Sequence, residues 1–321
     1  MVPKPECPPA AQPKTPARDI YRKGLDLGRA GRHEEALTAF SEALTVDPLF
    51  VLAFVGRGFA LGKLGRYEEE IESCERAIEI DPSCIDAWNT KAFALGVLGR
   101  FEEKVVCCKQ ALRIDPKNAL AWNNKGVALG MLGHFDQEIR CCDRALSIRP
   151  RYLSAMVNKG YALGRLKRYE EEIACYDRAL KIYPYYFSAL FYRAVALNHM
   201  KRFIEALVML DPALEIDPDH AKALYQKGLS LSALGRHGDA IQFLERALAL
   251  DSTIADAWVV LSNSCFMLGI LDESARAFDK AYYIDVHEVR SGFIKGMSLL
   301  KTGKFDDAIR SFSEVLGILL R

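Results

Sequence analysis

Cysteine has the most regular spacing of any residue type that could do chemistry in this sequence. It forms two series whose members are 34 residues apart: Cys74, Cys108 and Cys142, and Cys107, Cys141 and Cys175. Such thiols could bind zinc, but a tetrahedral zinc site holds its sulfurs within about 4 Å of one another. Packed helices lie about 8–10 Å apart, so equivalent positions of successive helices would not converge on one ion. We therefore predict that Cys74, Cys108 and Cys142 are small core residues, with a metal or redox role as the alternative.

Other catalytic patterns are absent from the sequence. The six histidines contain no His-x-x-x-His metal pair, and the glycines fall singly rather than in a phosphate-binding loop. The sequence therefore predicts no catalytic residue, no cofactor and no bound metal, and a protein that is not an enzyme.

The 34-residue spacing extends along nearly the whole chain. Prolines mark it most clearly, at Pro48, Pro82, Pro116, Pro150, Pro184 and Pro218. With proline at position 32 of a repeat, nine units follow: 17–50, 51–84, 85–118, 119–152, 153–186, 187–220, 221–254, 255–288 and 289–321. The segment 1–16, which contains six prolines, is predicted to be a disordered Pro-rich tail, with a docking motif as the alternative.

The apolar positions of each unit indicate two helices, A and B. Positions 4, 8 and 11 form one face of helix A, and positions 21, 24, 27 and 28 form one face of helix B. Glycine at position 15, as at Gly65 and Gly99, can take the left-handed conformation that ends helix A. Asp-Pro steps such as Asp81-Pro82 disfavour helical geometry and end helix B.

This pattern resembles the tetratricopeptide repeat family, which has Gly or Ala at position 8, Ala at 27 and Pro at 32. Trp88, Trp122 and Trp258 stand where that family often has tryptophan. The resemblance covers residues 17–321 and implies an all-α fold, a right-handed superhelical solenoid of antiparallel helix pairs. It also implies a protein–protein interaction scaffold that binds a segment of a partner protein in a concave groove lined by the A helices.

In that family, positions 2, 5, 6, 9, 12 and 13 of helix A line the groove. The resemblance gives these candidates for contact with a peptide: Phe59, Asn89, Phe93, Asn123, Asn124, Asn158, Tyr161, Asn198 and Asn263. An asparagine amide can pair with any peptide backbone, although these residues could also be ordinary polar residues on an exposed face. A basic groove end consists of Arg18, Arg22, Arg29 and Lys63. It could attract acidic segments or be a solvated face.

Three features depart from an ordinary repeat. Where the family has alanine at position 20, repeats two to five have Glu70, Lys104, Glu138 and Glu172. We interpret them as side chains that extend to solvent, with a ladder of charges, including the basic residues at position 7, as the alternative. Glycine at position 12 of repeats one to five could admit a ligand backbone or permit close packing. Pro212, inside helix B of repeat six, is expected to kink that helix.

Composition restricts the partners and the compartment. The chain has 43 basic and 42 acidic residues, so no net charge attracts nucleic acid or an anionic membrane. Nine cysteines, an odd number, favour a reducing compartment, and neither a signal peptide nor a membrane-spanning run is found. We predict a cytoplasmic protein with a protein or peptide partner.

The C-terminal helix is apolar at Leu316, Leu319 and Leu320. Repeat arrays usually end in a polar capping helix. The alternative function is therefore a structural solenoid that self-associates, as a homodimer, through this uncapped helix. A longer parent chain would explain the same residues.

Overall fold

The computed structural model describes residues 15–284, 296, 307 and 309–313. Most of the predicted tail and of the ninth repeat lies outside these residues, as do Leu316, Leu319 and Leu320. The predictions made for those parts, self-association included, therefore stay predictions.

Residues 15–284 form sixteen α-helices and no strand. The helices are α1 (Thr15–Arg29), α2 (His33–Val46), α3 (Val51–Lys63), α4 (Tyr67–Ile80), α5 (Ile85–Val97), α6 (Phe101–Ile114), α7 (Ala119–Met131), α8 (Phe135–Ile148), α9 (Leu153–Arg165), α10 (Tyr169–Ile182), α11 (Phe187–His199), α12 (Phe203–Ile216), α13 (Ala221–Ala233), α14 (His237–Leu250), α15 (Ala255–Met267) and α16 (Leu271–Ile284). The predicted all-α fold of helix pairs is confirmed. None of these helices is long and apolar enough to span a bilayer.

The first helix begins at Thr15, two residues before the start predicted for repeat one. Pro16 fits its first turn, because the N–H that proline lacks has no helical partner there. From α3 onward the A helices begin 34 residues apart, at Val51, Ile85, Ala119, Leu153, Phe187, Ala221 and Ala255.

The turn from helix A to helix B requires one residue in the left-handed conformation. In six repeats this residue is glycine, with φ between 74° and 81°, as the sequence predicts. Lys167 and Lys201 take the same place in repeats five and six, with φ of 58° and 59°. For a residue with a Cβ atom, this conformation costs about 1–2 kcal/mol.

Lys167→Gly is therefore expected to raise the free energy of unfolding by about 0.5–1 kcal/mol, the strain relieved less the extra entropy of an unfolded glycine. Urea denaturation followed by circular dichroism measures this change. Gly99→Ala is the matched control, because no heavy atom lies within 4 Å of an added Cβ there and φ is +74°. The control should lose stability, and an unchanged Lys167→Gly would contradict the strain argument.

The chain divides into two compact units, Met1–Ala162 and Leu163–Arg321. In the first unit, each A helix packs against the B helix of its own repeat, and successive A helices lie side by side, α1 with α3, α3 with α5 and α5 with α7. In the second unit, α11, α13 and α15 lie side by side in the same way. The A helices of each unit thus form a continuous layer.

The cysteines at position 24 belong to the core, as predicted. Cys74, Cys108 and Cys142 are fully buried, and burial raises the pKa of each thiol. A Cβ added at Gly58 would lie 3.1 Å from the Sγ atom of Cys74, so the small residue at position 8 leaves room for this side chain. Among the described residues, no group of three His, Cys, Asp or Glu side chains could hold a metal ion.

Pro212 does not end the helix that contains it. Helix α12 continues through Pro212 to Ile216. Proline has no N–H, so the carbonyl of Val208 loses its helical partner. Val208 is exposed, and water can satisfy that carbonyl, which explains why proline is tolerated here.

Candidate functional site on the A helices

The A helices of the first unit expose large apolar side chains in register. Phe59 and Phe93, both at position 9, are 54% and 55% exposed, and Tyr161 at the same position is also exposed. Val97 and Met131, at position 13, are exposed one turn further along α5 and α7. Because α3, α5 and α7 lie side by side, and Asn158 of α9 donates a hydrogen bond to Asn123 of α7, these residues share one surface. We call Phe59, Phe93, Val97, Met131 and Tyr161 the apolar A-helix surface.

Two described residues at position 9 of the second unit are covered. Leu229 is 2% exposed, and Asn263, which the sequence suggests as a peptide contact, is also buried. The prediction for Asn263 is therefore wrong, since its amide is not presented to solvent. Leu25 and Val127 of the first unit and Val195 of the second are half-buried at the same position, so exposure of position 9 does not follow from the repeat pattern alone.

The prediction that Asn198 contacts a peptide is also wrong, for a different reason. Its Nδ2 donates to Oε1 of Gln226 at 2.8 Å, and its Oδ1 accepts from the Ser230 hydroxyl at 2.7 Å. Asn198 is 2% exposed, so this amide joins helix A of repeat six to helix A of repeat seven. The side chain at position 12 thus contacts positions 6 and 10 of the next repeat.

Some asparagines of the first unit that are predicted to contact a peptide form hydrogen bonds within the protein instead. Asn158 Nδ2 donates to Asn123 Oδ1 at 3.0 Å, and Asn123 is buried, so Asn123 is corrected to an inter-repeat contact. Asn89 and Asn124 are half-buried. The Oδ1 atom of Asn89 is buried and accepts no hydrogen bond from the described residues. The amide oxygen of Asn89 is thus closed to solvent in this structure, and Asn89 stays a predicted peptide contact.

The glycines at position 12 make room for side chains of the protein itself. A Cβ added at Gly96 would lie 2.5 Å from Nζ of Lys104, and one added at Gly164 would lie 2.5 Å from Oε2 of Glu172. Added Cβ atoms at Gly62 and Gly130 would overlap the carboxylates of Glu70 and Glu138. In repeats two to five, these glycines therefore admit the position-20 side chain of their own repeat.

The interpretation that the charged side chains at position 20 extend to solvent is therefore wrong. Glu70, Lys104, Glu138 and Glu172 are all buried. The sequence does contain a signal for this: repeats two to five combine glycine at position 12 with a charge at 20. Repeats six and seven instead combine Asn198 with Ala206 and Ser232 with Ala240.

Burial changes the ionisation of these groups. It raises the pKa of Glu70 and of Glu172 to about 7 and that of Glu138 to about 8. The Tyr176 hydroxyl donates to Oε1 of Glu172 at 3.0 Å, which opposes the rise in pKa there. The three Oε2 atoms have no hydrogen-bond partner among the described residues. Burial also lowers the pKa of Lys104.

A ladder of charges does exist, but at position 7. It consists of the pairs Lys91–Glu75, Lys159–Asp143, Arg193–Asp177 and Lys227–Asp211, each at 2.7 Å. Each pair joins helix B of one repeat to helix A of the next. These pairs hold neighbouring repeats together and lie apart from the apolar A-helix surface.

The predicted basic groove end is exposed in the structure. Arg18, Arg22, Arg29 and Lys63 all lie at the surface. The Lys63 ammonium lies 5.2 Å from the centre of the Phe59 ring, a cation–π distance. Arg29 pairs with Asp26 at 3.2 Å and Arg22 with Asp19 at 3.6 Å, all four largely exposed. The basic residues therefore adjoin one end of the apolar A-helix surface.

Helix pairs stacked in register, with one open helix face, define a helical-repeat protein. Models of the tetratricopeptide repeat match residues 21–83 and 225–285, residues 185–253, residues 107–140, and residues 85–118 and 153–186. The chain therefore belongs to the tetratricopeptide repeat family. Members of this family are in general protein-interaction scaffolds rather than catalysts.

Solved structures show the same fold. A tetratricopeptide repeat protein from Parabacteroides merdae ATCC 43184 is 15% identical, with a TM-score of 0.63 over 78% of this chain and 99% of that chain. A chain of the APC/C hetero-tetramer Cut9–Hcn1 is 14% identical, with a TM-score of 0.60 over 98% of this chain and 75% of that chain. A comparison with curated protein sequences gave no match.

Proposed function

We propose that this protein is a scaffold that binds a segment of a partner protein on the apolar A-helix surface. One observation carries the proposal: Phe59, Phe93, Val97, Met131 and Tyr161 are exposed in register within one unit. Large apolar side chains that share an exposed surface are typical of interaction sites. In this proposal they form the floor of the groove that the family resemblance implies.

The two phenylalanines are the expected anchors. Binding energy is usually concentrated in a few residues, and aromatic rings are frequent among them. Burial of the exposed half of each ring would contribute on the order of 1–2 kcal/mol at about 25 cal/mol per Å².

Asn89 adds a polar contact to these anchors. Its Oδ1 atom is buried without a partner among the described residues, which costs about 1–3 kcal/mol in the unbound protein. In this proposal the Asn89 amide turns toward the surface on binding, where a backbone N–H of the bound segment satisfies this acceptor. Asn124 and Asn158, which are half-buried, are the further polar contacts of the proposal.

The proposal includes a cytoplasmic location and no nucleic-acid or membrane partner. It is supported by the balance of 43 basic and 42 acidic residues. The cysteines of the described residues are free thiols, which suits a reducing compartment.

Phe59→Ala combined with Phe93→Ala is expected to lower partner capture at least about tenfold, since each ring contributes on the order of 1 kcal/mol or more. The free energy of unfolding should change by less than about 1 kcal/mol, because exposed substitutions have small effects. The measurement is quantitative mass spectrometry of proteins retained from native lysate, with urea denaturation of both samples.

Tyr185→Ala is the matched control, because Tyr185 is an exposed aromatic residue outside the apolar A-helix surface. It should retain every partner that the wild type retains. Equal capture by the double variant would contradict the proposed site. Unfolding of the double variant would instead show that the two rings belong to the core.

A further inference from the structure

The charges around the apolar A-helix surface have one predominant sign. Positions 2, 5, 6, 9, 12 and 13 of the first unit carry four cations, Arg18, Arg22, Arg29 and Lys63, and a single anion, Asp86. All five side chains are exposed. Although the charges of the whole chain are nearly balanced, the A helices of the first unit therefore carry a local excess of positive charge.

Most of the excess lies at one end of the surface, and Arg165, at position 13 of α9, is a further exposed cation. The four cations lie on α1 and α3, whereas the exposed apolar residues continue through α5, α7 and α9. At the junction, Lys63 lies over the face of Phe59. An apolar side chain bound against Phe59 would therefore meet an ammonium group beside the ring.

The acidic side chains nearest to this layer reduce the excess but do not cancel it. On α1, Asp19 pairs with Arg22 and Asp26 with Arg29, yet α1 and α3 together carry six cations and two anions. Glu35, Glu69 and Glu103 begin the B helices and pair with Arg32, Arg66 and Arg100 in the turns that precede them. Glu70 and Glu138 lie beneath the A helices, and burial raises the pKa of both, so that their neutral form dominates below about pH 7. An acidic ligand would meet little repulsion from either set.

We infer that the bound segment is an acidic–apolar peptide of a partner protein, with its acidic part over α1 and α3 and its large apolar side chains over α5, α7 and α9. This inference rests on the proposed function and names the class of its ligand. Charge complementarity of this kind favours encounter and fixes the direction of binding. Exposed charges are screened by salt, so the preference for acidic residues should weaken at high ionic strength.

The test is the selection of peptides from a random 12-residue phage-display library on three forms of the full chain. These are the wild type, Arg22→Glu with Lys63→Glu, and Lys109→Glu with Lys181→Glu. Lys109 and Lys181 are exposed on the B helices α6 and α10, so their reversal is the matched control. Circular dichroism checks the fold of each form, and a wild-type selection at 1 M salt tests the charge effect without any substitution.

The wild type and the control should enrich peptides that combine Asp or Glu with Phe, Leu, Ile or Trp. The reversed variant and the high-salt selection should enrich the apolar residues without the acidic ones. The selected wild-type peptide should bind the reversed variant about tenfold more weakly in fluorescence anisotropy, as reversal turns two favourable contacts into repulsive ones.

Enrichment of apolar peptides without acidic residues on the wild type would overturn the inference and leave the proposed function standing. Enrichment of basic or proline-rich peptides would also overturn it. No enrichment on the wild type would overturn the proposed function itself.

Discussion

Replacing Glu138 with glutamine is expected to stabilise the protein at pH 8.5 and to leave its stability at pH 4.5 nearly unchanged. Burial raises the pKa of the Glu138 carboxyl to about 8, and its Oε2 atom has no hydrogen-bond partner among the described residues. The ionised form is therefore unfavourable in the folded protein. Glutamine has nearly the same shape and never ionises.

The sign of this pH dependence follows from the pKa of the Glu138 carboxyl in the folded protein and in the unfolded chain. In the unfolded chain the pKa of a glutamate is about 4.3. The contribution of Glu138 to stability is thus fully present below about pH 4.3 and is lost as the pH rises through about 8. Each pKa unit corresponds to about 1.4 kcal/mol, and we expect a difference of about 2–3 kcal/mol between the variant and the wild type at pH 8.5.

Urea denaturation at several pH values measures this difference. Glu102→Gln is the matched control, because Glu102 is exposed at the start of helix α6, where a substitution should have only a small effect on stability. A Glu138→Gln effect that is constant with pH would contradict burial of an ionisable carboxyl.

Gly130→Asn is expected to destabilise the protein by about 2–3 kcal/mol, and Glu138→Ala is expected to reverse most of that loss. A side chain at residue 130 would overlap the Glu138 carboxylate, and overpacking of this kind costs about 1–3 kcal/mol. Glu138→Ala alone should also destabilise, because it leaves a cavity where the carboxylate lies.

The double variant reproduces a combination that the protein already contains. In repeat six, Asn198 at position 12 accompanies Ala206 at position 20. In repeat five, Asn158 at position 6 could accept a hydrogen bond from the new amide, as Gln226 accepts one from Asn198. A double-mutant cycle by urea denaturation should give a favourable coupling energy of about 2 kcal/mol. Additive effects of the two substitutions would contradict the conclusion that the side chain at position 20 occupies the space left by glycine at position 12.

The sequence predicts the fold because each repeat has the same local signals. The apolar spacing predicts the helix pairs, and glycine at position 15 predicts the left-handed turn found at Gly65 and Gly99. The exposure of Phe59 and Phe93 also agrees with the groove positions that the family resemblance implies. These features depend on one helix or one turn, which a periodic sequence specifies.

The errors concern contacts between neighbouring helices and repeats. Asn198 is of the residue type expected at a peptide contact, but its amide forms hydrogen bonds with Gln226 and Ser230, which belong to the next repeat. Glu138 looks like a surface residue within helix B, yet the glycine at position 12 of helix A removes the side chain that would exclude it. Positions 12 and 20 predict the buried charges only when they are considered together, because one position supplies the space that the other fills.

Cross-linking from residue 93 tests most directly whether the apolar A-helix surface binds a partner segment. The photoreactive residue p-benzoylphenylalanine replaces Phe93 in one sample and Tyr185 in another, and both are irradiated in native lysate. Mass spectrometry then maps the cross-linked peptide in the partner. The account predicts one segment, containing large apolar side chains, that is cross-linked from residue 93 and not from residue 185, and that is lost when Phe59 is also replaced by alanine. Cross-links from both positions to the same proteins, or none from residue 93, would contradict it.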